Sequence, residues 1–283
     1  MKKLLVIMVF LSVSLFAQIA SDNASNYGGI FSNGNNQGSG FEPWSITHNN
    51  SNPPYAGSFT ASSTSGAGDI NVSGVSFGLY ANPSTAYVNA DRAFTVPLSV
   101  GNSFTFKMAL NFDNGNKGFV LFAASMGQVF NFNVGSGGSV SASGGAVLAP
   151  GPGLGYNYGG NDAVISVRID IASSTSFAYR IERASSQGNQ GVLFSGVVSG
   201  LTQSINGFRF YNSGTDNGAA QNNLYFNSLL VTSAEVTFTD GSGFTPSVSQ
   251  NSSNQAIGRF ALSGNIENAY LAGASIKLNG SRP

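Results

Sequence analysis

Residues 103–112 read Ser-Phe-Thr-Phe-Lys-Met-Ala-Leu-Asn-Phe. Phe104, Phe106, Met108, Leu110 and Phe112 recur at every second position. Because a strand turns alternate side chains to opposite faces, the spacing predicts a β-strand with all five on one buried side and Lys107 on the other. Burying each such side chain contributes roughly 1.5–3 kcal/mol, so one strand of this kind anchors a core. Gly101-Asn102 makes a turn into it, and Asp113-Asn114-Gly115-Asn116 supplies the left-handed turn chemistry of a hairpin after it. Gly118 to Ala123 then returns as a continuous apolar strand, and Val129 to Val134 alternates again with Phe130, Phe132 and Val134 inward.

The same period extends to both sides. Toward the C-terminus, Ile165, Val167, Ile169 and Ile171 share a face against Ser166, Arg168 and Asp170; Phe177, Tyr179, Ile181 and Arg183 do so against Arg180 and Glu182, with Ser173-Ser174-Thr175 as the turn between. Gly191 to Val198, Gly207 to Tyr211 and Leu224 to Val231 read as further strands. Toward the N-terminus the strands are Ser58 to Ser62, Asp69 to Tyr80 and Ala86 to Val96, preceded by a Pro53-Pro54 loop and, over Ser21 to Ser45, by short strands joined by tight turns. Gly135 to Asn161 is a Gly/Ser-rich connection far longer than the usual loop of about 4–6 residues. No apolar pattern runs at i, i+3, i+4, i+7 over several turns. About eleven strands and no helix imply stacked sheets or a closed barrel, and the run Phe119-Val120-Leu121-Phe122, apolar on both faces, argues against the lumen-facing strand of a membrane barrel. The expected fold is all-β, an antiparallel jelly-roll-like β-sandwich over residues 18–233. A small second β-module follows over residues 234–283, built from Val236 to Phe238, Ala256 to Leu262 and Ala274 to Leu278, and incomplete because three strands cover only one side of a core.

Composition sets the compartment. Only 8% of the 283 residues are charged, against about 25% in typical soluble proteins. The 12 basic residues balance the 12 acidic ones, which leaves no basic footprint for nucleic acid. Met1-Lys2-Lys3 followed by the uncharged run Leu4 to Phe16 and Ala17-Gln18 reads as a secretory signal peptide over residues 1–17, cleaved after Ala17; the run is too short to span a bilayer, so no membrane-spanning segment is expected in the mature chain. Removing Lys2 and Lys3 leaves 10 basic against 12 acidic residues, a net charge of −2. The absence of cysteine excludes disulfides, thiolate catalysis and cysteine-bound metals, and with the export signal it suggests a bacterial protein placed at the cell surface or outside the cell.

The chemistry-bearing residues are sparse. His48 stands alone, so a His-based triad has no support beyond it and a multi-histidine zinc site is excluded. Acidic residues are isolated and mostly in turns, which disfavours the paired carboxylates of a glycosidase. Asp22, Asp69 and Asp216 are the candidate side chains for a structural calcium ion; no other cofactor is implied. Gly151-Pro152-Gly153-Leu154-Gly155 fails the spacing of a phosphate loop. What remains is aromatic and amide chemistry. Trp44, Tyr55, Tyr156 and Tyr158 lie in Gly/Asn/Pro-rich connections, where a ring can stack on the apolar face of a sugar while Asn and Gln amides meet its hydroxyls.

The runs Ser21-Asp22-Asn23-Ala24-Ser25-Asn26-Tyr27, Gly40-Phe41-Glu42-Pro43-Trp44, Ser76-Phe77-Gly78-Leu79-Tyr80 and Leu224-Tyr225-Phe226-Asn227 resemble a class of Gly/Asn-rich exported bacterial proteins with a concanavalin-like jelly-roll domain. The resemblance spans roughly Ser21 to Val231 and implies a β-sandwich at or beyond the cell surface, but no site residue. Two functions follow as expectations: a non-enzymatic binding module for a neutral extracellular carbohydrate, and a structural or adhesive surface protein in which the sandwich is a spacer.

Overall fold

The computed structural model describes residues 17–49, 55–82, 85–112, 114–123, 127–135, 139–142, 163–183, 191–215, 218–233, 237–240 and 260–263. Contacts divide the chain into a compact unit, Ala17–Ser233, and a second unit that contains residues 234–283. The first unit is a sandwich of two antiparallel sheets. Its strands are β1 (Ala17–Asp22), β2 (Ser45–His48), β3 (Ala56–Ala61), β4 (Ser76–Ala81), β5 (Tyr87–Ala93), β6 (Asn102–Leu110), β7 (Asn116–Ala123), β8 (Gln128–Asn133), β9 (Ser139–Ala142), β10 (Ala163–Ser173), β11 (Ser176–Arg183), β12 (Gly191–Ser199), β13 (Ile205–Ser213) and β14 (Leu224–Ser233). One sheet runs β12-β11-β10-β6-β14-β4-β3, with β1 also on β14; the other runs β2-β5-β13-β7-β8-β9. In the second unit, β15 (Thr237–Asp240) and β16 (Phe260–Ser263) pair antiparallel.

The founding strand behaves as its alternation dictates: Phe104, Phe106, Met108 and Leu110 are buried and Lys107 is exposed. Phe112 does not follow them, being 42% exposed. The strand ends at Leu110, and the backbone carbonyl of Phe112 is bent aside to accept a hydrogen bond from the buried Lys117 Nζ at 2.7 Å. The core between the sheets is aromatic. Phe226 of β14 stacks on Phe210 of β13 with ring centroids 3.9 Å apart, Phe106 meets Phe119 and Phe210 edge-on, and Phe104 lies against Phe208.

Two expected stretches fold differently. Residues 69–75 are not part of a strand, because the Asn71 amide oxygen accepts from Ser63 N and Ser76 Oγ and ties the segment into a loop. That loop puts Ile70 beside Ala109 and Tyr225, making a small second core on the outer face of the larger sheet. In residues 21–45, strand ends at Asp22 and a 3-10 turn takes over at Ala24–Tyr27. The connection after β8 is not wholly irregular either, since β9 pairs with β8 over four positions.

Candidate functional site

Four strands of the smaller sheet turn polar side chains outward in two straight rows. Antiparallel register puts Asp91 (β5), Arg209 (β13), Val120 (β7) and Asn131 (β8) side by side, with Ser45 and Ser141 at the same level on the two flanking strands. One step along, Asn89, Tyr211, Gly118 and Asn133 form the second row, with Thr47 and Ser139 at its ends. Every second residue of these strands therefore serves the aromatic core, and the residue between serves the outer face.

Gly118 is the hinge of the arrangement. A Cβ there would lie 1.8 Å from the Phe132 carbonyl oxygen and 2.8 Å from the Tyr211 hydroxyl. With no side chain in the way, Tyr211 crosses β7 and its hydroxyl donates toward Asn131 Oδ1 at 3.0 Å and Asn133 Oδ1 at 3.2 Å. The phenol bridges one strand to the next but one. Burial pushes the Tyr211 hydroxyl well above its ordinary range, so it stays a neutral donor. Asn133 Nδ2 donates in turn to Asn116 Oδ1 at 3.0 Å.

Arg209 is held by Asp91 through both Nε and Nη2, the second contact at 2.7 Å, and its guanidinium lies 5.1 Å from the centre of the Phe122 ring. The hydrogen bond to Asp91 pushes the guanidinium still higher than its usual value, so Arg209 stays a cation and its charge is met by its ion-pair partner. Above these side chains is a shallow cavity of about 330 Å³ lined by Asn89, Asn116, Val120, Gln128, Asn131, Asn133, Arg209 and Tyr211. It presents amides, a guanidinium edge and a phenol around one apolar patch. No carboxylate belongs to this lining, and Asp91 beside it is committed to Arg209.

The residues singled out in the sequence lie elsewhere. Trp44 is buried, 1% exposed, and its indole nitrogen donates to Tyr27 Oη at 2.9 Å; it packs edge-on against Phe31 and Phe208 and cannot reach a ligand. Tyr55 is exposed, but it precedes β3 in the larger sheet and takes no part in the cavity. Tyr156 and Tyr158 fall outside the described residues. Asp22 is engaged within the fold: its carboxylate accepts from Arg92, from the Tyr27 hydroxyl at 2.6 Å, from Asn23 N and from Asn26 Nδ2, which occupies both oxygens. Asp69 Oδ1 accepts from Asn71 N within its own turn, and Asp216 lies outside the described residues. Among the described residues, no three His, Asp or Glu side chains converge. His48 is an exposed residue at the end of the edge strand β2.

No family model and no curated protein matches the chain. Solved structures similar to it include a toad ovary galectin in complex with thio-digalactose, 15% identical with a TM-score of 0.33, matched over 50% of this chain and 97% of that one. The exoplasmic/lumenal domain of VIP36 bound to Ca2+ and Man3GlcNAc is 11% identical with a TM-score of 0.38, over 66% of this chain and 88% of that one. The catalytic domain of beta-agarase D from Zobellia galactanivorans is 8% identical with a TM-score of 0.33, over 68% and 76%.

Proposed function

We propose that the outer face of the smaller sheet binds a neutral carbohydrate without turning it over, in a chain exported to the cell surface or beyond it. The observation that carries this reading is the cavity itself: amide, guanidinium and phenol groups fixed in two rows by strand register, around the apolar Val120, with its one ion pair internally neutralised. Sugar hydroxyls both donate and accept, which matches amides that do both, and the C–H face of a pyranose matches a small apolar patch. Hydrolysis by the usual route takes two carboxyl groups flanking the scissile bond, and the lining supplies amides where those would stand.

A neutral-glycan array probed with the mature chain, Asn131→Ala, Arg209→Met and the Tyr156→Ala/Tyr158→Ala double variant tests this. Binding by the wild type that falls at least tenfold in the first two variants and persists in the third is the expected result. Binding lost only with the tyrosines would move the site to the loop, and no glycan bound by any form would leave the spacer function.

A further inference from the structure

The outer face of the smaller sheet has a third row, and it ends on a ring. Register puts Tyr87 (β5), Ser213 (β13) and Asn116 (β7) side by side, one step past Asn89, Tyr211 and Gly118. Burial alternates along β5: Val88, Ala90 and Arg92 are buried in the sandwich and Asn89 and Asp91 are turned outward, so Tyr87 belongs to the outer face. Its side chain is 40% exposed. Of the three exposed aromatic side chains among the described residues, Tyr55 precedes β3 and Phe112 follows β6, both strands of the larger sheet. Tyr87 alone stands on the face that carries the cavity.

Three observations join this ring to the cavity. Asn116, which shares its row, and Asn89, the next outward residue on its own strand, both line the cavity. Strands lie about 4.8 Å apart, so roughly 10 Å separates the backbones at Tyr87 and Asn116, and between them stands only the small Ser213, its hydroxyl turned to the Asn116 carbonyl at 3.5 Å. The Arg209 guanidinium, raised first by its hydrogen bond to Asp91, is raised further by the Tyr87 phenol, which makes that phenol a neighbour of a cavity-lining group. The backbone under the ring is fixed as well: Tyr87 N donates to Asn49 Oδ1 at 2.8 Å, and its carbonyl accepts from Asn49 N at 3.4 Å. The geometry points to Tyr87 as the stacking wall of the site, with one pyranose seated over Ser213, its C–H face against the ring and its hydroxyls toward the Asn89 and Asn116 amides. This rests on the function proposed above and adds the class of sugar to it. Amides exchange sugar–water hydrogen bonds for equivalent ones and gain little by that alone, whereas a ring and a C–H face exclude water from each other and bring the axial hydrogens onto the negative face of the π-system. A chair pyranose presents its axial C–H bonds in one plane; a puckered furanose does not.

An array carrying neutral gluco- and galactopyranose oligosaccharides beside fructofuranose ones, probed with the mature chain, Tyr87→Phe, Tyr87→Ala and Asn131→Ala, tests the wall. The pyranose arms are expected to bind the wild type, Tyr87→Phe to stay within about twofold of it, and Tyr87→Ala to fall about fivefold or more while keeping a cooperative urea transition, since the side chain is exposed. Saturation of the aromatic resonances should pass to the C–H protons of a bound pyranose in the wild type and Tyr87→Phe, and far less in Tyr87→Ala. Wild-type binding that is lost in Asn131→Ala but kept in Tyr87→Ala overturns the wall and leaves the proposed function standing. So does a loss in Tyr87→Phe as large as in Tyr87→Ala, or equal binding of the furanose arms. A wild type that binds no arm overturns both.

Discussion

Gly118 and Tyr211 are a matched pair, and so are Gly196 with Tyr179 and Gly78 with Phe59: in each, the glycine of one strand leaves room for the ring of the residue opposite. At Gly118 the room is indispensable, because the nearest obstacle is backbone. Gly118→Ala is expected to cost about 2 kcal/mol or more in urea denaturation and to weaken glycan binding with it, since the Phe132 carbonyl and the Tyr211 hydroxyl must both move. Tyr27 offers a pH test. Burial, and then the hydrogen bond to Asp22, push its hydroxyl up to about 12. In the unfolded chain it ionises near pH 10, so above that pH the unfolded state holds fewer protons, and the stability it contributes is whole below about pH 10 and lost as pH rises toward 12. Denaturation midpoints should fall across that window, and fall less in Tyr27→Phe, which starts lower because Trp44 and Asp22 lose their partner.

Between elements, the buried Arg92–Asp22 pair ties β5 of one sheet to β1 of the other, and the Arg92 guanidinium lies 4.7 Å from the ring centres of both Phe41 and Trp44. Removing one partner of such a pair strands a charge in the core, so Asp22→Ala is expected to cost about 3–5 kcal/mol. Trp44 emission, blue-shifted and resistant to acrylamide in the wild type, should shift red in that variant. This cluster also explains what the sequence does and does not disclose. Alternation of apolar residues was enough for β6, β8, β10 and β11, and a continuous apolar run for β7, none of which needs knowledge of its neighbours. The burial of Trp44 depends on Tyr27 and Arg92, which are remote in sequence, and no local pattern announces it. The polar rows were hidden for the same reason: Asn131 and Arg209 meet across β7 only once register is known, and an outward Asn in an isolated strand reads as a solvated one. A signal was nevertheless present. Asn and Asp are poor strand formers, yet Asn89, Asp91, Asn131 and Asn133 occupy successive outward positions of two strands, a pattern that solvation alone does not favour.

For the whole molecule, 12 acidic residues against 12 basic ones, or against 10 once Lys2 and Lys3 are removed, and a self-neutralised site leave little long-range field to recruit a ligand. Glycan affinity is therefore expected to change less than twofold between 50 and 500 mM salt, measured by calorimetry with the best binder from the array; a steep fall would mean that an anionic ligand is the true one. Residues 234–283, set apart from the sandwich by their contacts, are proposed to be a module lacking its second sheet; limited proteolysis should then trim them while 18–233 persists, and equal protection would refute that.

The sandwich unit begins and ends on the same pair of strands: β1 and β14 run antiparallel with Ala17 opposite Ser233 at one end and Asp22 opposite Leu229 at the other. Traction applied through those two ends acts across the strands and not along them. The ladder is loaded one rung at a time, each worth roughly 0.5–1.5 kcal/mol, and opens as a zipper. A domain selected to transmit tension would enter and leave at opposite ends of a sheared ladder. Optical-trap extension from residues 17 and 233 should accordingly peel β1 rung by rung as far as Asp22, whose buried ion pair with Arg92 is the first strong stop, and at lower force than extension between points at opposite ends of the ladder.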